Sequence, residues 1–551
     1  MDTIIITFED GSKKEYKKGI KLQEIIDDVK DKYSYDIICG KFRGQQIYHQ
    51  DIILKSGDLI LYDINNKHGN KIYERGLLFL FETCVLDILG KDTKIIIKFS
   101  VDHGIFCEID KQLSLENIEQ IKNLMKEKVK KGIPFQKIET SKMEAINYFR
   151  NIKREDKVKA LFYDTSNFVT LYKFDGIYNY ILGSLPYDSS VLKYFDLTLI
   201  ENKGIVVRFP SIYDDGKVRK YIHHEKYFNS LEEYYSWGKL LNIGNIGELN
   251  EAVINNDAGE IIQLSEMLQD YKLLNIAEGV SLNRDDYKIV LISGPSSSGK
   301  TTTAMKLSLY LKTLGLNPTY LSMDDYFLNR EDTPLGIGGK PDYESLAALD
   351  IKLLDNQIAK LLKGLKVTIP TFNFITGKKE FNKTIQMHDN DILIIEGLHA
   401  LNDSILSNIN KKNKLKIYAS PLTYLNLDND NRINMTDIRL LRRIVRDNRT
   451  RGYSPSHTLS TWSDVRQGEQ KYVFTFQDEA DIVFNTALVY ELGVLKTYVE
   501  PLLFSVKETD SEYPTAVRLL ELLKFVLPIP SDDIPKTSIF REFIGESYFD
   551  K

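Results

Sequence analysis

Residues 291–307 read LISGPSSSGKTTTAMKL, and the organisation of the C-terminal half of the chain can be worked out from this stretch. The apolar run before the first glycine suits a buried strand, and the residues after Thr301 suit a helix. Between them, Gly294 and Gly299 frame a loop with the spacing Gly-x4-Gly-Lys-Thr. The loop amides, the start of the helix and the charge of Lys300 all favour an anion. The stretch therefore predicts a phosphate-binding loop.

The loop offers several groups that could hold a nucleotide. The Thr301 hydroxyl can also join the coordination shell of Mg²⁺. An ordinary Ser/Gly loop is the alternative, but the strand before it and the helix after it favour nucleotide binding. We expect the nucleotide to be bound by Gly294, Ser296, Ser297, Ser298, Gly299, Lys300, Thr301 and Thr302.

Composition limits the classes of protein that fit the chain. Its 551 residues suggest three or four domains, and the net charge of −5 argues against a general nucleic-acid binder, though not against a local patch. The three cysteines form no Cys-x-x-Cys pair, which argues against a zinc site or a disulfide framework. Because no signal peptide or membrane-spanning stretch is visible, we expect a cytoplasmic protein without a membrane partner.

The C-terminal part, residues 286–551, alternates strand and helix patterns. Strand candidates are 288–293, 318–323, 366–369, 391–395, 414–419 and 480–485. This order predicts a mostly parallel sheet with helices on both faces and a site at the carboxyl ends of the strands. The preceding residues, 236–285, have apolar positions at helical spacing and few breakers, and we interpret them as a helical connector.

Carboxylates follow two of these strands. LSMDDYF places Asp324 and Asp325 at one strand end, and DILIIEGLHALN places Glu396 at another. A carboxylate at such a position can accept the proton of a substrate hydroxyl, and we assign this role to Asp324, with Asp325 as the alternative. Either Asp could instead cap the following turn. Glu396 can orient Mg²⁺ or a water bound to it.

An arginine-rich segment, DIRLLRRIVRDNRTRG, follows later in the chain. Arg439, Arg442, Arg443 and Arg446 fall on one helical stripe with few acids between them. We interpret the segment as a lid whose cations close over the transferring phosphoryl group, the alternative being a solvated helix. An insertion at residues 421–437 precedes it, which either reshapes the acceptor pocket or elaborates the surface.

Five motifs together resemble the uridine kinase and phosphoribulokinase branch of P-loop kinases: GPSSSGKTT, LSMDDYF, KVTIPTFNF, IIEGLHALN and IRLLRRIVRD. The resemblance implies ATP and Mg²⁺ as cofactors. It implies catalytic roles for Lys300, Asp324, Glu396 and Arg442, metal binding by Thr301 and Glu396, and ATP binding by Arg446. On the acceptor side it implies Asp324, Asp342, Phe372, Phe374 and Arg439. The two phenylalanines could stack on a ring or belong to the core.

The front half resembles part of the threonyl-tRNA synthetases. Residues 1–64 resemble their ubiquitin-like TGS domain in ITFEDGS, KLQEII and GDLILYD, although any small β-grasp module is an alternative. Residues 65–235 look like the α+β domain that follows TGS, without its editing His and Cys residues. The whole chain resembles bacterial TGS-containing uridine kinase-like nucleoside kinases. We therefore expect a multidomain protein of α+β and α/β domains.

The motif TFNFITG departs from the uridine kinase pattern. Phe372 lacks the aromatic hydroxyl of those kinases, and Gly377 stands in place of their histidine. These are the groups that would read the base. The expected reaction is ATP-dependent phosphorylation of a nucleoside 5′-hydroxyl. The alternatives are a sugar or polyol kinase and a nucleotide-switched regulator associated with RNA or the ribosome. A homo-oligomer is expected by analogy only.

Overall fold

The chain divides into two compact units in a computed structural model that describes residues 2–200, 203–336, 339, 341–373 and 376–550. The first unit comprises Met1–His224 and Asn426–Arg432, and the second comprises Glu225–Leu425 and Ile433–Lys551. The domain boundaries that we placed after residues 64, 235 and 285 stay a prediction.

The first unit mixes strands and helices. Its strands are β1 (Thr3–Phe8), β2 (Lys13–Lys17), β3 (Ile20–Lys21), β4 (Cys39–Phe42), β5 (Gln45–Ile47), β6 (Ile52–Ile53), β7 (Gly57–Tyr62), β8 (Ile95–Val101), β9 (Gly104–Ile109), β10 (Gln136–Ser141), β11 (Phe168–Phe174), β12 (Ile177–Asn179), β13 (Asp196–Ile200) and β14 (Gly204–Arg208). Its helices are α1 (Leu22–Val29), α2 (Lys67–Leu89), α3 (Leu115–Lys131), α4 (Lys142–Asn151) and α5 (Glu155–Phe162).

The front of this unit is a five-stranded sheet in the order β2-β1-β7-β4-β5, with α1 packed on it. Ile4, Ile6 and Phe8 alternate into the core, as the sequence pattern predicts. β1 pairs antiparallel with β2 through the Asp10-Gly11 turn, where Gly11 adopts a φ of 77°. Strands, turn and amphipathic helix therefore follow from local sequence signals in this part of the chain.

The rest of the first unit is built around α2, which begins after the Asn66 cap and is mostly buried. An antiparallel sheet in the order β13-β14-β9-β8 and the helix α3 contribute to the same core. Another sheet has the order β10-β11-β12. In the part of the chain that the structure describes, no helix is both long and apolar enough to cross a membrane.

Part of the insertion noted at residues 421–437 belongs to this first unit. The backbone N–H of Ile97 donates to the Asn429 carbonyl over 2.8 Å. The fully buried Lys157 forms ion pairs of 2.9 Å with both Asp428 and Asp430. Residues 426–432 are therefore a buried component of the first unit, which neither interpretation of the insertion anticipated.

The second unit contains the phosphate-binding loop. Its strands are β15 (Ile289–Ser293), β16 (Asn317–Ser322), β17 (Val367–Asn373), β18 (Lys378–Ile385), β19 (Asp391–Glu396), β20 (Lys414–Ser420) and β21 (Ile482–Asn485). Its helices are α6 (Glu225–Leu240), α7 (Ile246–Ile254), α8 (Ala258–Leu282), α9 (Lys300–Thr313), α10 (Ile351–Leu361), α11 (Met435–Arg451), α12 (Pro455–Tyr472), α13 (Glu491–Phe504), α14 (Tyr513–Leu523) and α15 (Arg541–Ile544).

Five strands of this unit form a parallel sheet in the order β16-β19-β15-β20-β21. Helices α8 and α9 pack on one face, and α10 packs on the other. Both features confirm the predicted parallel α/β architecture. The candidate strand 366–369 is an exception, because it lies in β17, which forms an antiparallel hairpin with β18 outside the sheet. A short apolar run does not reveal which partner a strand will find.

Candidate active site

The order of the strands brings three chemical groups to one edge of the parallel sheet. β19 lies between β15 and β16, and Glu396 at its end is in register with Ile292 and Ser322. The loop of residues 294–299 follows β15, and Asp324 follows β16 on a short 3₁₀ turn. The phosphate-binding loop, Glu396 and Asp324 therefore lie side by side, as expected at the carboxyl ends of parallel strands.

Close packing explains the first glycine of the loop, and backbone conformation explains the second. A Cβ atom at Gly294 would lie 1.9 Å from the Ala419 carbonyl oxygen, which excludes any side chain. Gly299 adopts a φ of 82°, the left-handed region that favours glycine, just before α9 begins. Among the described residues, the hydroxyls of Ser297 and Ser298 are buried without a hydrogen-bond partner. Unsatisfied donors in a glycine-framed loop fit bound phosphate oxygens.

Thr301 and Glu396 form the pair expected of a magnesium site. The Thr301 hydroxyl donates to Glu396 Oε1 over 3.2 Å, and the hydroxyls of Tyr320 and Ser322 donate to the same oxygen over 3.0 and 2.9 Å. Burial, and then the nearby Asp324, raise the pKa of Glu396 to about 7. A hydroxyl beside a buried carboxylate suits the oxygen coordination that Mg²⁺ prefers, since nucleotide phosphates and waters would supply its other ligands.

Two other loop residues contact the protein itself. The Lys300 ammonium donates to the Pro295 carbonyl over 3.1 Å and is close enough to lower the pKa values of Asp324 and Glu396. The Thr302 hydroxyl donates to Glu542 over 2.8 Å. Lys300 therefore lies near Asp324 and Glu396, whereas the side chain of Thr302 is hydrogen-bonded to Glu542 instead.

The two adjacent aspartates have different environments. Asp325 accepts a hydrogen bond from the Phe372 backbone N–H over 3.1 Å, and this bond holds β17. Asp324 is open to solvent. Desolvation by neighbouring atoms nevertheless raises the pKa of Asp324, against the lowering effects of Lys300, Arg451 and Arg446. Asp324 is thus the carboxylate that faces the open cleft, beside three cations.

The arginine helix α11 differs from our lid prediction, because its cations already have partners. Arg439 is 2% exposed and pairs with the buried Glu469 of α12, while its Nε donates to the Ser296 carbonyl over 2.9 Å. Glu469 Oε1 in turn accepts the Ser296 backbone N–H over 2.8 Å. Arg443 donates to the Ser296 hydroxyl over 2.7 Å. Arg439 and Arg443 thus hold the phosphate-binding loop itself.

Arg442 lies deeper than the prediction of a catalytic residue requires. Its side chain is fully buried, its Nε donates to Glu491 over 2.7 Å, and its Nη2 donates to the Thr486 carbonyl over 2.8 Å. The guanidinium also lies 4.8 Å from the centre of the Phe543 ring. The structure therefore places Arg442 in the packing of α11, and its assignment to the catalytic groups stays a prediction.

The end of α11 faces Asp324. Arg446 and Arg451 both lower the pKa of Asp324, and both pair with Asp447. Arg446 is the predicted nucleotide ligand, whereas Arg451 did not enter the sequence prediction. Arg451 does not fit the spacing of the other arginines. Its place in the last turn of the same helix could have indicated that it belongs to the same group of cations.

The predicted residues of the acceptor side differ in how deeply they are buried. Phe372 is 8% exposed and packs against Phe327, with ring centres 5.7 Å apart, so it belongs to the core. Asp342 is half-buried and accepts the Glu344 backbone N–H over 3.2 Å. Phe374 lies outside the described residues. The structure therefore leaves Asp342 as a predicted acceptor contact and gives Phe372 a packing role.

Glu344 and Glu469 are acids of the site that sequence reasoning missed. Burial and then Glu469 raise the pKa of Glu344 to about 7, against the effects of Arg443 and Lys300. Neither acid stands at a strand end or within a phosphate-binding motif, so neither gave a local signal. Their positions follow from the packing of α12, where the Gly468 backbone leaves room for the Glu344 side chain.

Comparisons with known proteins identify a matching family model and several similar proteins. The model of the phosphoribulokinase/uridine kinase family matches residues 289–491. The uridine kinase of Macrococcus caseolyticus is 30% identical over 196 residues, which are 35% of this chain and 86% of that protein. The possible uridine kinase of Bacillus stearothermophilus, a solved structure, is 21% identical over 36% of this chain and 89% of that one, with a TM-score of 0.25.

Another part of the chain has a different relative. The threonine–tRNA ligase of Caldanaerobacter subterraneus subsp. tengcongensis is 28% identical over 160 residues, which are 29% of this chain. The matched residues span a quarter of the length of that ligase, 25%. The N-terminal part of the chain is thus similar to threonyl-tRNA synthetase. Through its C-terminal part, the chain belongs to the phosphoribulokinase/uridine kinase family of ATP-dependent kinases.

Proposed function

We propose that this protein transfers the γ-phosphoryl group of ATP, with Mg²⁺, to the 5′-hydroxyl of a nucleoside. The observation that carries the proposal is the separation of roles between Asp324 and Asp325. One carboxylate faces the open cleft beside Lys300, Arg446 and Arg451, and the other is bound to the backbone of β17. A free carboxylate beside cations suits a base that accepts the proton of an acceptor hydroxyl.

The nucleotide end of the reaction has support from the loop. The unsatisfied hydroxyls of Ser297 and Ser298 can donate to phosphate oxygens, and Lys300 adds a full charge. Thr301 and Glu396 would hold Mg²⁺, which would neutralise charge on the transferring phosphoryl group. Arg446 and Arg451 are the cations of α11 that we assign to the same developing charge.

The acceptor end is less selective than that of a base-reading kinase. The ring of Phe372 is buried against Phe327 and carries no group that could hydrogen-bond a base. A site without such a donor loses the strong polar discrimination that a paired hydroxyl provides. This favours a sugar or polyol as the second candidate acceptor, with the same phosphoryl-transfer chemistry.

The test is the formation of ADP and phosphorylated product by the purified protein with MgATP and a panel of nucleosides, pentoses and polyols. We expect one class of acceptor to stimulate turnover. Asp324→Asn should lower kcat by about 10² to 10⁴ and leave the KM for ATP nearly unchanged. Asp325→Asn is the matched control, because it removes the neighbouring charge and should leave most of the turnover.

Two results would contradict the proposal. If no acceptor raises ADP formation above the background hydrolysis, the proposal of a small-molecule kinase is wrong. RNA- and ribosome-stimulated hydrolysis would then be measured next. If Asp324→Asn keeps the kcat of the unmodified protein while Asp325→Asn loses it, the roles of the two carboxylates are reversed.

A further inference from the structure

The first unit contains a cavity of about 470 Å³, and none of the residues that line it is assigned to phosphoryl transfer. Helix α1, the segment after it and the segment of residues 187–194 line this cavity. Its volume lies within the range of roughly 300 to 1,000 Å³ that is typical of small-molecule sites. The cavity is therefore large enough for an organic ligand.

Tyrosine rings form much of its wall. Tyr33, Tyr35, Tyr187 and Tyr194 all line the cavity. Tyr35 and Tyr194 meet edge to face with ring centres 5.6 Å apart, and Tyr187 lies 5.7 Å from the His49 ring. The negative faces of several aromatic rings attract an organic cation.

The polar groups of the cavity favour the same charge. Asp27, Asp36 and Asp188 line it, and all three raise the pKa of His49, although burial lowers that pKa overall. Asp36 is paired with Lys193 over 2.7 Å. Two carboxylates, Asp27 and Asp188, and one lysine, Lys30, then remain in the wall. The wall therefore carries an excess of negative charge.

His49 adds a second observation. It is 8% exposed, and its Nε2 lies 3.1 Å from the Ile37 carbonyl oxygen. Its Nδ1 is buried without a hydrogen-bond partner among the described residues. A neutral, incompletely paired imidazole in the wall of a cavity is typical of a site that a ligand completes.

We propose that this cavity binds a small organic cation whose protonated amine lies among the tyrosine rings and faces Asp27 and Asp188. A metal ion does not fit as the ligand, because no group of three His, Cys, Asp or Glu side chains suited to a metal exists among the described residues. The aromatic wall selects against inorganic ions as well, since they keep their hydration shell. The site is independent of the phosphoryl-transfer chemistry.

The test is isothermal titration calorimetry on the full chain with spermidine, phenethylamine and tetraethylammonium as probes and AMP as an anionic control. We expect at least one of the three cations to bind, AMP not to bind at this site, and the affinity to fall as sodium chloride is raised. The double variant Asp27→Asn/Asp188→Asn should weaken binding at least tenfold. Asp92→Asn, an exposed acid outside the cavity, should bind like the unmodified protein.

A variant with the opposite effect keeps the test decisive if the double variant folds poorly. Lys30→Gln removes the opposing cation at the exposed position just after α1 and should tighten cation binding about threefold or more. The proposal is overturned if none of the three cations binds at millimolar concentration. It is equally overturned if Lys30→Gln and the double variant both leave the affinity unchanged.

Discussion

Replacing Arg442 by Gln separates a structural role from a catalytic one. The arginine is fully buried, and Glu491, its partner, is 2% exposed. Gln at this position keeps part of the volume but leaves the Glu491 carboxylate without its cation. We therefore expect the variant to lose stability and to keep its chemistry.

The expected loss is large because the pair lies in the interior. Removing one partner of a buried ion pair costs about 3 to 5 kcal/mol, since the remaining charge is not compensated. Burial already raises the pKa of Glu491 against the effect of Arg442, so its protonation would recover part of this cost. For a unit of this size the loss corresponds to a fall in Tm on the order of 10 °C.

The assay is thermal unfolding together with kcat measured well below the Tm, for Arg442→Gln and for Arg446→Gln as the matched variant. Arg446 is partly exposed, and its guanidinium acts on Asp324. We expect Arg446→Gln to lower kcat at least tenfold with a Tm change of a few degrees. The double replacement Arg442→Met/Glu491→Leu should restore most of the Tm, because an apolar pair replaces both charges.

One pattern of results would refute this reasoning. If Arg442→Gln keeps its Tm and its kcat falls a hundredfold, the guanidinium acts in phosphoryl transfer despite its burial. The catalytic role implied by the family resemblance would then stand.

Three further predictions concern the other parts of the molecule. Glu396 should make the free energy of unfolding fall by up to about 3 kcal/mol as pH rises from about 4.5 to 7, because its raised folded-state pKa favours the protonated form; Glu396→Gln should remove this dependence in urea titrations. Gly294→Ala should abolish ATP binding measured by calorimetry, since its Cβ would lie 1.9 Å from the Ala419 carbonyl oxygen, whereas Gly279→Ala in α8, with nothing within 4 Å of its Cβ, should bind ATP normally. Lys157→Met should destabilise the first unit by about 3 to 5 kcal/mol in hydrogen-exchange measurements, because the buried Asp428 loses its cation and Asp430 keeps only Arg154.

Local signals predicted much of the second unit. The glycine spacing gave the loop, and the acids at strand ends gave Asp324 and Glu396, because short motifs encode backbone geometry and its immediate chemistry. The sheet order then brought these groups together, as a parallel α/β arrangement requires. Such features depend on residues that are close together in the sequence.

The partners of the arginines could not be predicted in this way. The segment around Arg439 and Arg442 contains few acids, and this favoured a nucleotide as the counter-charge. The structure supplies Glu469 and Glu491 instead, from the helices that follow α11. Residue spacing within one helix says nothing about charges that other helices bring to it. The buried glutamates of those helices therefore became the partners of the arginines.

The insertion shows the same limit more strongly. Its polar run of Asn and Asp is typical of a surface loop. In the structure, Asp428 and Asp430 are buried against Lys157 of α5, whose own sequence context gave no indication of a buried cation. Such a polar cluster becomes stable only when every member has a partner, and pairing across 250 residues or more is invisible in a local pattern.

The charges around the loop suggest how the site separates its two acids. Asp324 raises the pKa of Glu396, so the pair resists carrying two negative charges at once. Lys300, Arg446 and Arg451 favour the ionised form of Asp324, and the hydroxyls of Tyr320 and Ser322 are in place to bind Glu396. Burial raises the pKa values of both acids, to about 7 for Glu396. Asp324 is the carboxylate of the pair that faces the open cleft, and a cation beside Glu396 would favour the ionised forms of both acids.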